Sequence, residues 1–361
     1  MNVDQFEGLE RQLKEHRSKV DVTNLDFSVR EIVRMYIDDE LIISPSYQRK
    51  YRWPTTVASK FIESLFLGLP IPPIFVATND NFTWEVVDGL QRISTLILYL
   101  ADDPEVRKAV SSPDPLRLTG LENLTQLNEK TYQELPQPLK LFLARQPLQV
   151  VQLTDKSHKS VRFDLFERLN TGSISLSAQE VRTAVYGGKF LSFIEDLSKN
   201  EHLNSLLKLQ EVNKNDGTKT EQVLKYFAYK NSSNTFKGAV NKFLNSYVES
   251  LDNEESRFDY DREKTIFEQV MEFLSNALNG QAFLRARTSV TPLVQFEAVA
   301  VGIGQLIESN TTPVIPSIDW INDPDLVSAS TRGSNTRSML SRRLQRAKDL
   351  FSGKCNVLPE S

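Results

Sequence analysis

The spacing of apolar residues divides the chain into a mixed first half and a helical second half. Apolar positions recur at helical spacing in residues 6–16, in "DFSVREIVRMYIDDEL", in "TTVASKFIESLFLGL" and in "LQRISTLILYL". Short β-branched runs bounded by proline or Asn-Asp-Asn predict strands in "LIISPSYQRKYRWP", "PIPPIFVA", "FTWEVVDG" and "PLQVVQLT". From about residue 190 the pattern is almost entirely helical. We therefore predict an α+β domain followed by a mainly helical domain, without internal repeats.

Several helix boundaries are predicted from capping residues. Asp26 or Ser28 is suited to cap the helix that follows it, and Gly68 is suited to end the "TTVASKFIESLFLGL" helix. After the polar loop in "FERLNTGSISLSAQEVR", either Ser175 or Ser177 can start the next helix. In the second case Glu180 would complete a capping box.

One predicted strand-to-helix turn, "EVVDGLQRISTL", carries candidate chemistry. Gly89 allows a sharp turn and a close approach of a ligand to the backbone, and the helix start behind it favours an anion. Arg92 could grip phosphate oxygens, Asp88 could hold magnesium through water, and Gln91 and Ser94 add polar groups. The alternative is a plain turn with a capping aspartate and a solvated arginine. The residues themselves leave both interpretations open.

Two further polar clusters are consistent with a binding site. "SPSYQRKYRWP" places Gln48 and Arg49 among aromatic residues, a mixture that suits bases and phosphates. "FERLNTG" places Asn170 in a polar loop. The alternatives are an edge strand with a solvated basic face for the first cluster, and a helix end followed by a newly capped helix for the second.

Taken in order, "YQRKYRW", "FIESLFLGLPIPPIFV", "EVVDGLQRISTL" and "FERLNTGSISLSAQEVR" resemble the N-terminal domain of GmrSD-type modification-dependent restriction proteins. This is the domain-of-unknown-function family 262, whose fold is similar to ParB and sulfiredoxin. The resemblance covers roughly residues 25 to 185. It implies a ParB/sulfiredoxin-like nucleotide-binding domain at 26–185, between an N-terminal helix at 1–25 and a helical domain at 186–361.

The resemblance also assigns roles to residues of this chain. It implies a nucleoside triphosphate bound with Mg²⁺, a metal site at Asp88 and catalytic roles for Asp88 and Gln91. The family's usual Asp-Gly-Gln-Gln-Arg has Leu90 at its middle position here, which puts hydrolysis in question. The resemblance makes Asp88, Gly89, Gln91 and Arg92 the phosphate motif, with Gln48 and Arg49 as its companion. Together with the polar groups found above, the predicted nucleotide-binding residues are Gln48, Arg49, Gly89, Arg92, Ser94 and Asn170.

A histidine-based nuclease is not predicted within this chain. Many two-part relatives carry a His-Asn-His nuclease, but the histidines here are His16, His158 and His202, and none has the expected setting. If DNA is cut, the expectation is a partner nuclease chain or an atypical site that uses carboxylates and metal. Whether the chain is itself an enzyme stays open between a nucleoside triphosphatase and a non-hydrolysing protein.

Charge and composition add one candidate DNA contact. The net charge of −4 does not require nucleic-acid binding, but "TRGSNTRSMLSRRLQRAKDLFSGK" concentrates cations around an apolar stripe. We predict a helix whose basic face, with Arg342, Arg343 and Arg346, meets DNA phosphates. The alternative is a solvated face near the acidic segment 252–263.

These observations predict a nucleotide-binding component of a DNA restriction or anti-phage defence system. The alternative function is a non-hydrolysing DNA-sensing or adaptor protein that regulates a partner nuclease. The absence of a long apolar run and a single cysteine, Cys355, favour a soluble cytoplasmic protein, which could form homo-oligomers.

Overall fold

The computed structural model describes residues 3–17, 20–43, 51–79, 81–154, 156–169, 177–214, 216–252, 258–331, 333 and 335–353. The chain divides into two compact units, Met1–Leu176 and Ser177–Ser361. The first unit combines helices with a sheet and the second is helical, which confirms the predicted fold class.

A five-stranded sheet organises the first unit. Its strand order is β1-β5-β3-β4-β2. β1 pairs antiparallel with β5, β3 pairs parallel with β5 and antiparallel with β4, and β2 pairs parallel with β4. In chain order, the elements are α1 (Val3–Arg17), β1 (Val22–Ser28), α2 (Val29–Ile37), β2 (Leu41–Ile42), α3 (Thr55–Leu67), β3 (Ile74–Thr78), β4 (Trp84–Asp88), α4 (Leu90–Leu100), α5 (Pro104–Val110), α6 (Gln137–Ala144), β5 (Pro147–Leu153) and α7 (Lys159–Leu169).

The sheet is strongly curled around the core of the first unit. Two strands separate β1 from β4, yet the ring of Phe27 meets that of Trp84 with centroids 5.4 Å apart. Alternate strand residues such as Val76, Val86 and Val150 point into the core and are fully or nearly fully buried. Helix α4 packs into the same core along most of its length. The start of α4 is therefore fixed relative to the ends of β3 and β4.

The predicted helix boundaries are largely confirmed. The Ser28 hydroxyl accepts a hydrogen bond from the Glu31 amide and caps α2. Gly68 ends α3 in the left-handed conformation, and Ser177 forms a capping box with Glu180. Asp26 does not cap a helix, because it lies within β1, a strand that the apolar spacing did not predict.

The second unit is a helical assembly with an aromatic core. Helix α14 is buried along nearly its whole length and contacts α11, α13 and α16. Its glycines permit close packing, because a Cβ at Gly304 would collide with the Tyr226 ring and one at Gly302 with the backbone of α16. The helices are α8 (Ala178–Tyr186), α9 (Gly188–Leu197), α10 (Glu201–Leu206), α11 (Thr218–Ser232), α12 (Val240–Asp252), α13 (Tyr260–Ala277), α14 (Leu293–Glu308), α15 (Pro324–Ala329) and α16 (Arg337–Phe351).

Among the described residues, no helix has both the length and the apolar character needed to span a membrane.

Candidate functional site

The junction between β4 and α4 is a glycine turn, as the sequence predicts. Gly89 lies at φ 109° and ψ 7°, a left-handed conformation that residues with a Cβ rarely adopt. A Cβ here would also come within 3.1 Å of the Ile74 side chain. Gly89 is the N-cap residue of α4, and it offers no side chain to the first amides of the helix. Both the backbone conformation and the local space therefore require glycine at this turn.

Arg92 lies behind the turn and holds it to the segment before β3. Its Nη2 donates to Asp88 Oδ2 at 2.7 Å, and its Nη1 donates to the carbonyl oxygens of Pro73, at 3.1 Å, and Pro72. Burial lowers the pKa of Arg92, and the adjacent Asp88 carboxylate partly offsets this effect. The guanidinium, with its side chain 11% exposed, is thus already used in three internal contacts.

Asp88 is the more accessible partner of this pair. Its side chain is 47% exposed, and the salt bridge with Arg92 is made by Oδ2. The carboxylate is therefore accessible to a hydrated cation beside the glycine turn. Among the described residues there is no group of three or more His, Cys, Asp or Glu side chains that could hold a metal ion by themselves.

The remaining predicted residues of this site are placed differently. Gln91 directs its amide oxygen towards the backbone of Arg52 and Trp53. Ser94 is 1% exposed on the packed side of α4, and its role in nucleotide binding stays a prediction. The other three predicted nucleotide contacts, Gln48, Arg49 and Asn170, lie outside the described residues.

Sequence reasoning missed an acidic residue on the opposite face of the sheet. Glu85 precedes Asp88 on β4 but alternates to the side away from Val86. Burial raises the pKa of Glu85 to about 7, and Arg162 of α7 acts in the opposite direction. The sequence did carry a signal for this residue, because an acid within the apolar strand "WEVVD" is unusual. A carboxylate that is buried in a strand needs a specific partner.

The three arginines predicted to contact DNA differ in their surroundings. Arg342 Nη2 lies 2.6 Å from Asp325 Oδ1, and Arg346 Nη2 lies 2.6 Å from Asp323 Oδ2. Arg343 is 1% exposed, and burial lowers its pKa while Glu297 and Tyr229 partly offset this. The expectation that Arg343 lies on an open basic face is therefore corrected by its burial. DNA binding by Arg342 and Arg346 stays a prediction.

A separate groove of the first unit does not include the glycine turn. It has a volume of about 590 Å³ and runs along α2, with Phe27, Met35 and Trp84 on its apolar side and Arg30 and Glu31 among its charged residues. The turn at Gly89 is therefore a candidate site because of its glycine and its Asp88–Arg92 pair, and not because it lies in this groove.

The fold and this turn define a mixed α/β domain with a strand–glycine–helix junction carrying an Asp–Arg pair. Residues 29–187 match the family described as GmrSD restriction endonuclease, N-terminal domain. Over this part of the chain, the match confirms the resemblance to a GmrSD-type N-terminal domain seen in the sequence. Comparisons with curated proteins and with solved structures gave no match.

Proposed function

We propose that this chain is the nucleotide-binding component of a DNA restriction system, with the Asp88–Arg92 turn as its nucleotide-phosphate site. The observation that carries the proposal is Gly89, whose left-handed backbone turns the chain sharply into α4 and leaves the first amides of that helix without a side-chain cap. Amides at a helix start, together with the helix dipole, favour a phosphate group. The type of domain supports a role in restriction and so in defence against foreign DNA.

The residues of the turn suit a nucleoside triphosphate with magnesium. The uncapped first amides of α4 would bind the phosphate, Arg92 would supply fixed positive charge from behind the turn, and Asp88 would hold the hydrated cation. A bound magnesium ion would neutralise phosphate charge. Arg92 already donates hydrogen bonds to Asp88 and to two proline carbonyls. Its main contribution would therefore be to hold the turn in place and to supply a positive electrostatic potential near the phosphate.

Calorimetric titration with the four nucleoside triphosphates in the presence of Mg²⁺ tests the proposal. Gly89→Ala should weaken binding about ten- to hundredfold, because the added Cβ strains the left-handed turn and crowds the Ile74 side chain, which displaces the start of α4. Gly68→Ala is the matched control, since Gly68 is also left-handed at a helix end but has open space around it. If the wild-type protein binds none of the four nucleotides, the proposed function is wrong.

A non-hydrolysing adaptor is the second candidate, and the surroundings of Gln91 favour it. The amide oxygen of Gln91 is occupied by two backbone amides and is therefore not available to orient an attacking water. A phosphate-release assay with and without DNA separates the two functions. Steady release that Asp88→Asn abolishes would support hydrolysis, whereas binding without release would support an adaptor that regulates a partner nuclease.

A further inference from the structure

Helix α4 holds a neighbouring backbone segment through two polar residues one turn apart. The Gln91 Oε1 atom accepts hydrogen bonds from the Arg52 amide at 2.9 Å and from the Trp53 amide at 3.1 Å. These amides belong to the short extended stretch that leads into α3. One glutamine side chain therefore satisfies two consecutive backbone donors of this stretch.

Thr95 supplies the second attachment. The Tyr51 hydroxyl lies 3.2 Å from Thr95 Oγ1, and Thr95 Oγ1 also lies 2.7 Å from the Gln91 carbonyl oxygen, to which it donates. Because a threonine hydroxyl has one proton, Tyr51 must be the donor in the first contact. Thr95 is fully buried, and the Trp53 ring packs against Phe61 with centroids 5.7 Å apart. The attached segment is thus held by both polar and aromatic contacts.

The geometry around Gln91 separates two possible roles for this residue. An amide oxygen has two lone pairs, and here two amides use them. A glutamine that orients an attacking water must act on that water directly. A glutamine saturated by backbone donors instead fixes the position of the chain that it holds.

We propose that Gln91 and Thr95 are positioning residues, which hold Tyr51–Trp53 against the first two turns of α4 and thereby set the nucleotide affinity of the adjacent turn. The effect on affinity rests on the proposed nucleotide site, whereas the attachment itself does not. Gln91 then acts through the held segment and has no contact with reacting atoms.

Hydrogen exchange at the Arg52 and Trp53 amides tests the attachment without any nucleotide. Gln91→Met keeps the length of the side chain but removes the acceptor, so both amides should exchange about tenfold faster. Gln91→Glu retains an oxygen acceptor and should keep them protected. Gln133→Met is the control, because it removes a glutamine of the same unit whose side-chain amide donates to Asp102. Unchanged exchange in Gln91→Met would overturn the proposal.

Nucleotide titration and phosphate release then test the consequence. Gln91→Met, Thr95→Val and Tyr51→Phe should each weaken nucleotide binding, by about three- to thirtyfold. Tyr132→Phe, which removes the hydroxyl bond to the Lys140 carbonyl, should not. If Gln91→Met instead loses turnover while all three variants keep the wild-type affinity, Gln91 is catalytic and the proposal is overturned.

The two proposals fail in different ways. If the wild-type protein binds no nucleotide, the proposed function and the effect on affinity are both wrong, and the exchange measurement still decides whether the attachment exists. If nucleotide binds but the three variants bind as the wild type does, the nucleotide site stands and the positioning role is wrong.

Discussion

The ion pairs of the two units are used in different ways. In the first unit, Asp88 and Arg92 form a pair at a turn, where the carboxylate side chain remains 47% exposed. In the second unit, Lys230 is fully buried and contacts Glu263 and Glu308, each at 2.9 Å. A charge whose partners are all supplied by the protein is committed to the fold. The pair at the turn instead presents its carboxylate to solvent, and it is the pair for which we propose a ligand.

A second buried network reinforces this difference. Glu221 lies 3.6 Å from Arg182 and 3.0 Å from Lys225, which in turn lies 3.2 Å from Glu297. Burial alone would lower the pKa of Lys225, but Glu297 and Glu221 outweigh it and raise that pKa. The helical unit thus carries largely buried charges that join α8, α11 and α14, with Glu221 and Lys225 only 21% and 16% exposed.

The largest expected effect comes from breaking the buried cluster at Lys230. Lys230→Met leaves the carboxylates of Glu263 and Glu308 without their cation, and we expect a loss of about 3–5 kcal/mol in the free energy of unfolding. Urea denaturation measures this loss. Lys264→Met, which removes an exposed pair with Glu268, should leave the midpoint unchanged. Similar midpoints for the two variants would contradict the contrast between buried and accessible pairs.

The next effect concerns Glu85 and pH. Burial raises the pKa of Glu85 from its ordinary value of 4.5 to about 7 in the folded protein, so the stability that its protonated carboxyl contributes is fully present below pH 4.5. The contribution is lost as pH rises through the folded pKa. Glu85→Gln should therefore be more stable than the wild type at pH 8, by about 3 kcal/mol at most, with the difference vanishing near pH 4.

Thermal or urea unfolding of both proteins across pH 4–8 gives the comparison. Glu122→Gln, at an exposed position, is the control and should follow the wild type at every pH. A constant difference between Glu85→Gln and the wild type across this range would show that the Glu85 carboxyl does not titrate as described.

A smaller effect separates two arginines of α16. Arg346 pairs with Asp323, whose side chain is 4% exposed and also accepts the Leu326 amide at the start of α15. Arg346→Gln should cost about 1.5–3 kcal/mol. Arg342→Gln breaks a pair in which both side chains are about half exposed, and should change stability little. Equal losses in urea denaturation would contradict this ranking.

The smallest effect tests the DNA contact itself. Because Arg343 is buried, replacing it would disturb the fold, so the informative variant is Arg342→Gln. If Arg342 contacts a phosphate, the slope of log affinity against log salt should become shallower by about 0.9. Fluorescence anisotropy of a labelled duplex at several salt concentrations measures the slope. An unchanged slope and affinity would place Arg342 outside the DNA contact.

Local features of the fold could be predicted from sequence, and long-range ones could not. The helix caps at Ser28, Gly68 and Ser177 depend on residues within one or two helical turns. Residue type and spacing were therefore sufficient to predict them. Strand β1 was missed because its first residues are exposed and polar residues interrupt the apolar alternation. It forms only by pairing with the distant β5.

The candidate site divides in the same way. Gly89 and the Asp88–Arg92 pair lie within one turn, and their proximity was predictable. The contacts of Arg92 with proline carbonyls and of Gln91 with the Trp53 amide depend on how separate segments meet.

Arg343 is a third case, because its position on the buried face was readable. It stands three residues after Leu340 and four before Ala347, on the apolar stripe of α16. It was assigned to the basic face because arginines are seldom fully buried.

The pairing of β1 with β5 also has a consequence for synthesis of the chain. Val22 pairs with Leu153 and Ser28 with Pro147, so the edge strand made first waits for almost the whole first unit to leave the ribosome. Contacts this far apart in sequence slow folding, because a long loop must close before they form. Until β5 is made, β1 and one edge of β3 are unpaired, and unpaired strand edges invite aggregation. Truncation within β5 should therefore leave a nascent chain that depends on chaperones, whereas a stop after Thr154 allows the sheet to complete.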